Sequence, residues 1–131
     1  TINYHTTPDW EKSVLALTGG VGVHEVLEVG GKDTLPRALA SLAPGGHIAL
    51  IGGLGGFGGT VPALTLLDRN ESVSGIYVGS RADFEAVLDL VVSGRAAPVI
   101  DSVFPLRDAR AAHERLESGR QLGKVVLTIP G

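Results

Sequence analysis

The segment HEVLEVGG at residues 24–31 places the apolar residues Val26, Leu27 and Val29 before two glycines and carries the main evidence for the fold. The same pattern returns in HIALIGG at residues 47–53 and in SVSGIYVGS at residues 72–80. Short apolar runs that end in glycine are typical of parallel strands covered on both faces of a sheet. These segments predict strands at residues 23–29, 47–51 and 73–78.

Helical patterns alternate with these strands. Apolar residues recur at the helical period after Asp9, a candidate N-cap, and Gly19 and Gly20 end that helix. Further helices are expected at residues 34–42, at residues 80–91 starting from Ser80 or Asp83, and at residues 108–116 with Ala109, Ala112 and Leu116 facing inward. Shorter extended segments are expected at residues 1–4, 98–104 and 124–129. This alternation predicts an α/β fold with a mainly parallel sheet and right-handed crossovers.

The composition limits the classes of function. The chain has 131 residues, 44% of them hydrophobic, a net charge of -3 and no cysteine. A chain of this kind forms a compact core and offers no basic surface for nucleic acid or an anionic membrane. The absence of cysteine excludes disulfides and cysteine-ligated zinc and favours a reducing, cytoplasmic location. The first residue is threonine, so we expect a truncated chain.

Residues 53–58, GLGGFG, match the phosphate-binding pattern GxGxxG after a predicted strand. Pro62 follows closely, and residues 60–67 are too short for a full crossover helix. No acidic residue closes the next strand, as the dinucleotide fingerprint requires. We therefore interpret this segment as a flexible glycine loop.

Other polar residues offer no chemical cluster. The histidines lie far apart without neighbouring ligands at metal spacing, at His5, His24, His47 and His113. Glu25 and Glu28 flank a strand, and solvated positions are expected for them. Trp10 is expected to pack on a helix, and the last helix has a solvated face with Asp108, Glu114 and Glu117. No GxSxG motif supports a serine hydrolase.

Glycines follow several predicted strands, at Gly30, Gly31, Gly52, Gly53 and Gly79. In doubly wound sheets, ligands bind in a crevice at the carboxyl ends of the strands, and small residues there leave room for them. Ordinary turn formation would use the same glycines. The residues alone leave both interpretations open.

Seven motifs in order resemble the C-terminal portion of a medium-chain dehydrogenase/reductase of the zinc-type alcohol dehydrogenase superfamily. They are INY at 2–4, LTGG at 17–20, VLEVGG at 26–31, LAPGGHIALIGG at 42–53, GIYVGSR at 75–81, AHERLESG at 112–119 and GKVVL at 123–127. The resemblance runs nearly from end to end and implies a partial Rossmann-like sheet that lacks its first two strands. It also implies an NAD(P)-dependent oxidoreductase that passes hydride between nicotinamide and an alcohol, carbonyl compound or quinone.

The resemblance assigns residues to the cofactor. Those on the adenosine side would be Val29, Gly30, Gly31 and Lys32. Those whose backbone holds the nicotinamide carboxamide would be Ile51, Gly52, Gly53, Ile76, Tyr77 and Val78. Lys124 would lie near the pyrophosphate. No catalytic or metal-binding residue is expected in this chain.

The chain also departs from the family pattern, and these departures limit what it is expected to do alone. The phosphate-binding strand and loop, the strand that selects NAD or NADP, and the substrate domain with its metal ligands and proton relay are absent. The chain is therefore expected to be inactive alone, with zinc possible only in the parent enzyme. Residues 1–78 would belong to the nucleotide-binding domain and residues 79–131 would return to the catalytic domain. His24 replaces a common aspartate, which affects a local turn contact.

The strand order 3-2-1-4-5-6 implied by the family leaves residues 26–29 at an unpaired edge when the first two strands are missing. We expect self-association there, or a homo-oligomer through the opposite edge near residues 60–64 or 73–78. Two other functions stay open. One is a stand-alone, non-catalytic module that binds a nucleotide or a protein. In the other, GLGGFG is a true phosphate-binding loop, and Ser80 and Arg81 bind an NADP 2'-phosphate. This hypothesis predicts that replacement of Gly55 by a bulky residue abolishes binding.

Overall fold

The computed structural model describes residues 1–130 and divides into two compact units, Thr1–Val78 and the residues from Gly79 onward. The first unit holds a parallel sheet in the order β1-β2-β3, formed by β1 (Val23–Glu28), β2 (Leu42–Leu50) and β3 (Ser72–Gly75). Its helices are α1 (Trp10–Leu17), α2 (Leu35–Ala40) and α3 (Ala63–Arg69). The predicted α/β class with parallel sheets is confirmed.

The second unit contains a smaller parallel sheet. It consists of β4 (Ile100–Pro105) and β5 (Lys124–Thr128), joined through a 3₁₀ turn (Leu106–Asp108) and α5 (Ala109–Glu117). Before them, α4 (Arg81–Val92) starts with a capping box, in which Ser80 N donates to Asp83 Oδ2 at 2.7 Å and Asp83 N donates to Ser80 Oγ at 3.2 Å. Gly94 adopts a left-handed φ of 71° after the helix, as a C-terminal glycine does.

The core of the first unit lies between α2 and the central strand β2. Its buried members are Leu35, Ala38, Leu39, Leu42 and Ile48. Trp10 of α1 packs against them, so its predicted role in helix packing is confirmed. No helix within residues 1–130 is both long enough and apolar enough to cross a membrane.

The predicted strand at residues 1–4 is wrong. Asn3 instead starts a turn, because its backbone carbonyl accepts from Thr6 N at 3.1 Å and Thr7 N at 2.8 Å. Its side chain also accepts from His5 N at 2.9 Å. A strand needs a neighbour to satisfy its backbone, and residues 1–4 have none in this sheet.

Two strands have different ends from those predicted. β2 begins at Leu42, which pairs with Val23, and the register shifts before His47 pairs with Glu25. β3 stops at Gly75, and Val78, three residues further on, adopts a left-handed φ of 51° that no strand accommodates. Hydrophobicity marked the apolar centre of each strand but not the backbone geometry at its ends.

Three helix details also differ. Asp9 precedes α1 but does not cap it, since its carboxylate binds Lys12 Nζ at 2.8 Å and Arg37 Nη1 at 3.0 Å. Leu116 is 50% exposed rather than inward, while Ala112 is buried. The segment judged too short for a crossover helix forms α3, whose seven residues join the parallel strands β2 and β3.

Candidate functional site

The carboxyl ends of the three strands meet at one edge of the first sheet. Glu28 pairs with Leu50, and Leu50 pairs with Gly75. Backbone hydrogen bonds continue the contact beyond the strands, from Ile51 N to Glu28 O at 2.8 Å and from Ile76 N to Leu50 O at 2.9 Å. The structure therefore brings together the predicted site residues of the first unit, which are Val29, Gly30, Gly31, Lys32, Ile51, Gly52, Gly53, Ile76, Tyr77 and Val78.

A buried carboxylate organises the turn after β1. Glu28 is only 4% exposed, and its Oε1 accepts from Gly30 N at 2.7 Å, from Gly31 N at 2.9 Å and from Thr34 Oγ1 at 2.6 Å. The expectation of a solvated Glu28 is therefore wrong. Glu25 is exposed and bonds to His47 Nδ1 at 2.8 Å. Glu25 and Glu28 are three positions apart, so the alternation of side chains along β1 places them on opposite faces of the sheet.

The GLGGFG loop folds back on this turn. Leu54 N donates to Val29 O at 3.4 Å, and Gly55 N donates to Gly30 O at 2.6 Å. In return, Lys32 N donates to Gly56 O at 3.1 Å. A phosphate loop needs free N–H groups and a helix that begins directly after it. Here the amides of Leu54, Gly55 and Gly56 are occupied and α3 begins only at Ala63, so the geometry favours the interpretation as a structural loop.

Two of the predicted site glycines allow close backbone packing. Gly31 has a φ of +87°, and a Cβ there would lie 2.5 Å from Gly56 O. A Cβ on Gly52 would lie 2.7 Å from Val29 O. Both distances are shorter than a van der Waals contact allows, so the chain's own backbone fills this space. These glycines hold neighbouring strand ends together and do not leave an open crevice.

Several backbone donors at the same edge have no protein partner. Within residues 1–130, the N–H groups of Gly53, Tyr77 and Val78 make no hydrogen bond. Tyr77 is 94% exposed and Val78 is 81% exposed. A left-handed conformation is strained for a β-branched residue such as Val78, and strained backbone is frequent at binding sites. The edge therefore offers accessible backbone donors to a ligand.

A groove of about 820 Å³ lies along β1, and we call it the β1 groove. Apolar residues of the N-terminal segment, α1 and β1 form most of its wall, and Glu28, Asp33 and Thr34 contribute polar groups. Val29 and Gly30, which were predicted to contact a cofactor, also line it. Its size and largely apolar wall are usual for a site that binds a small molecule.

The remaining predicted residue, Lys124, belongs to the second unit. It is the exposed first residue of β5, and its backbone N–H donates to Val99 O at 2.8 Å. In the same unit, Ser80 is engaged in the capping box, and Arg81 Nε pairs with Glu85 Oε1 at 2.7 Å. None of these contacts is specific for a phosphate.

No group of three or more His, Cys, Asp or Glu side chains within residues 1–130 could hold a metal ion. His47 faces Glu25 alone, and that pair is a surface contact. These residues therefore supply no donor set for zinc.

Sequence reasoning missed Glu28 and Thr34. A signal was available, because Glu28 is a charged residue that follows two apolar residues at the end of the strand and stands two positions before the site glycines. Thr34 stands six residues further on, and only the folded turn brings its hydroxyl to the carboxylate.

Comparisons with known proteins agree on one family. The family model described as zinc-binding dehydrogenase matches residues 1–127. A zinc-type alcohol dehydrogenase-like protein of Schizosaccharomyces pombe is 42% identical over 98% of this chain and 38% of its own length. Quinone oxidoreductase-like protein 2 of Bos taurus is 33% identical over 91% of this chain and 37% of its own length.

A crystal structure of an NAD-dependent alcohol dehydrogenase superimposes with a TM-score of 0.83 and 36% identity, over 95% of this chain and 36% of that one. The chain thus spans less than two fifths of the length of these relatives, at 38%, 37% and 36%. The resemblance to a portion of a medium-chain dehydrogenase/reductase is confirmed.

Proposed function

The chain belongs to the zinc-binding dehydrogenase family, and from this premise we propose that it forms the cofactor-orienting part of an NAD(P)-dependent oxidoreductase. The parent enzyme would be alcohol dehydrogenase-like and pass hydride between nicotinamide and an alcohol, a carbonyl compound or a quinone. Among the similar proteins, one is named an NAD-dependent alcohol dehydrogenase and another a quinone oxidoreductase-like protein, and these names support this reaction class. The chain by itself would be inactive, because it carries no group proposed to act on the substrate.

The observation that carries the proposal is the set of unpaired backbone donors at the ends of β2 and β3. The N–H groups of Gly53, Tyr77 and Val78 lie at the edge where the parallel strands end. Ligands of doubly wound sheets bind at this edge. A nicotinamide carboxamide has both an acceptor and a donor, and backbone groups fixed by the sheet would orient it with little loss of side-chain entropy. The bound dinucleotide would supply the hydride chemistry.

Val29, Gly30, Gly31 and Lys32 would lie along the adenosine side. Val29 and Gly30 form part of the β1 groove, whose volume is about 820 Å³. Pockets of this size hold drug-sized ligands. Lys124 would contribute a cation near the pyrophosphate once the parent enzyme places the second unit. In this proposal residues 1–78 are part of the nucleotide-binding domain and residues 79–131 are part of the catalytic domain.

The zinc implied by the family name does not fit this chain, because residues 1–130 contain no suitable group of ligands. Any zinc of the parent enzyme would require residues outside this chain. No step of the proposed chemistry is therefore assigned to a metal here.

Titration of the isotopically labelled chain with NADH and with NADPH tests the proposal. We expect weak binding, with a Kd in the millimolar range, because only part of the dinucleotide surface is supplied. The largest amide shifts should occur at Gly53, Tyr77 and Val78. Gly52→Val should abolish these shifts, since even a Cβ would meet Val29 O at 2.7 Å, whereas Gly75→Val has open space and should preserve them. Equal shifts across the chain, or none, would contradict the proposal.

The β1 groove favours a second candidate, a stand-alone module that binds a nucleotide or a protein without catalysis. Such a module should saturate at micromolar ligand, because its site would be complete. Millimolar binding confined to the strand ends would favour the dehydrogenase part instead.

Assembly is a further part of the proposal. We infer that the chain associates with a second copy through a sheet edge, since β1 and β3 are the outer strands of the first sheet. The cytoplasmic location expected from the composition stays a prediction.

A further inference from the structure

Glu28 is a buried acidic residue that the proposed chemistry does not use. It ends β1 and is 4% exposed. Burial of a carboxylate is costly unless hydrogen bonds replace the lost water. An acidic residue at an exposed position would not pay this cost, so the burial of Glu28 needs a physical reason.

The side chain of Glu28 binds three donors through a single oxygen. Oε1 accepts from the backbone N–H groups of Gly30 at 2.7 Å and Gly31 at 2.9 Å, and from the Thr34 hydroxyl at 2.6 Å. Hydrogen bonds to a carboxylate are stronger than those to a neutral oxygen. The three bonds fix the turn between β1 and α2 in one conformation.

The backbone of Glu28 anchors the adjacent strand end. Its carbonyl accepts from Ile51 N at 2.8 Å and from Gly52 N at 3.2 Å. The turn that the side chain fixes also binds the loop after β2, because Gly55 N donates to Gly30 O at 2.6 Å. Two of the segments assigned to the dinucleotide are therefore held through one residue.

The carboxylate also lies in the wall of the β1 groove together with Thr34. A displacement of the turn would move Val29 and Gly30, which share that wall. The position of Glu28 thus controls the shape of the surface on the proposed adenosine side.

We propose that Glu28 is a positioning residue for dinucleotide binding, which acts by holding the turn of residues 29–32 and, through it, the loop of residues 51–56. This inference rests on the proposed function. Glu28 touches no reacting atom in this role. Thr34 is its partner, because its hydroxyl completes the set of donors on Oε1.

The test compares Glu28→Gln with Glu25→Gln. Gln has nearly the same shape but a neutral oxygen, and its NH₂ group cannot accept a bond. Glu25 lies in the same strand, with an exposed side chain. We expect Glu28→Gln to weaken NADH binding about tenfold and to accelerate amide exchange at Gly30, Gly31 and Gly55. Glu25→Gln should leave both unchanged.

Thr34 provides a second pair of variants in case Glu28→Gln folds poorly. Thr34→Val keeps the shape and removes the hydroxyl, and we expect about threefold weaker NADH binding. Thr34→Ser retains the hydroxyl and should restore the wild-type affinity. All affinities are measured at a temperature at which amide spectra show each variant to be fully folded. A general loss of stability would then not give weaker binding by Thr34→Val and restored binding by Thr34→Ser.

The outcomes separate this inference from the proposed function. If the wild-type chain binds neither NADH nor NADPH, both are overturned. If the wild-type chain binds and fully folded Glu28→Gln and Thr34→Val bind equally well, only the role of Glu28 is overturned. Weaker binding by Thr34→Val that Thr34→Ser restores supports it.

Discussion

At the scale of single residues, the site depends on backbone atoms that approach each other closely. Gly31 combines a left-handed φ of +87° with a buried position. Gly45 has a similar φ of +76°, but open space surrounds the position of its missing Cβ. The two glycines therefore separate the effect of backbone strain from the effect of packing.

We predict that Gly45→Ala lowers the free energy of unfolding by about 1 kcal/mol, the cost of a left-handed alanine. Gly31→Ala should lower it by about 3 kcal/mol, since its Cβ must displace the loop at Gly56 O. Chemical denaturation measures both values. An equal decrease in the free energy of unfolding for the two variants would show that the loop at Gly56 moves without cost and is not packed against the turn as described.

At the scale of elements, one ion pair joins β4 to α5 in the second unit. Arg115 Nη2 lies 2.7 Å from Asp101 Oδ1, and Arg115 Nε donates to Asp101 Oδ2 at 2.9 Å. The backbone N–H of Leu122 also donates to Asp101 Oδ1, at 3.0 Å. The Arg115 guanidinium, with smaller help from Leu122, holds the pKa of Asp101 well below its ordinary range.

This direction of the pKa shift predicts a pH dependence. Because the folded state favours the charged carboxylate, Asp101 stabilises the second unit above the ordinary aspartate pKa of about 4, and this contribution is lost as the pH falls below it. Asp101→Asn should therefore lower the unfolding temperature at neutral pH. The difference from wild type should shrink in acid.

Thermal unfolding across the acidic range, followed by amide signals of β4 and β5, measures this effect. Asp89→Asn is a suitable control, since Asp89 is an exposed aspartate on α4. A difference between wild type and Asp101→Asn that stays constant with pH would contradict the role of the ion pair.

At the scale of the whole molecule, the first sheet ends in an open strand. β1 is paired on one side only, with β2. Leu27 is 69% exposed on this strand. An apolar edge with unpaired backbone groups is a template for another strand.

We predict that the chain self-associates and that Leu27→Lys reduces this association, because a charged side chain disfavours edge pairing. Sedimentation velocity at increasing concentration measures the effect. Leu67→Lys is the matched control, with a 71% exposed leucine on α3. A wild-type chain that stays monomeric at high concentration, with freely exchanging amides at residues 26–29, would rule the idea out.

The sequence by itself determined the α/β class, the parallel strands and the family. Apolar runs ending in glycine are local signals, so the sequence pattern located all three strands, although only β2 is largely buried. The motifs then placed residues 29–32, 51–53 and 76–78 at strand ends, and parallel pairing brings those ends to one edge.

Only the tertiary structure decided how the site is held. The burial of Glu28, its bonds to Gly30, Gly31 and Thr34, and the docking of the GLGGFG loop join residues from separate segments. The turn at Asn3 replaced a predicted strand for the same reason, since a strand depends on its neighbour. Local propensity reports what a segment can form, whereas the hydrogen-bond partners of buried polar groups are fixed only when distant segments meet.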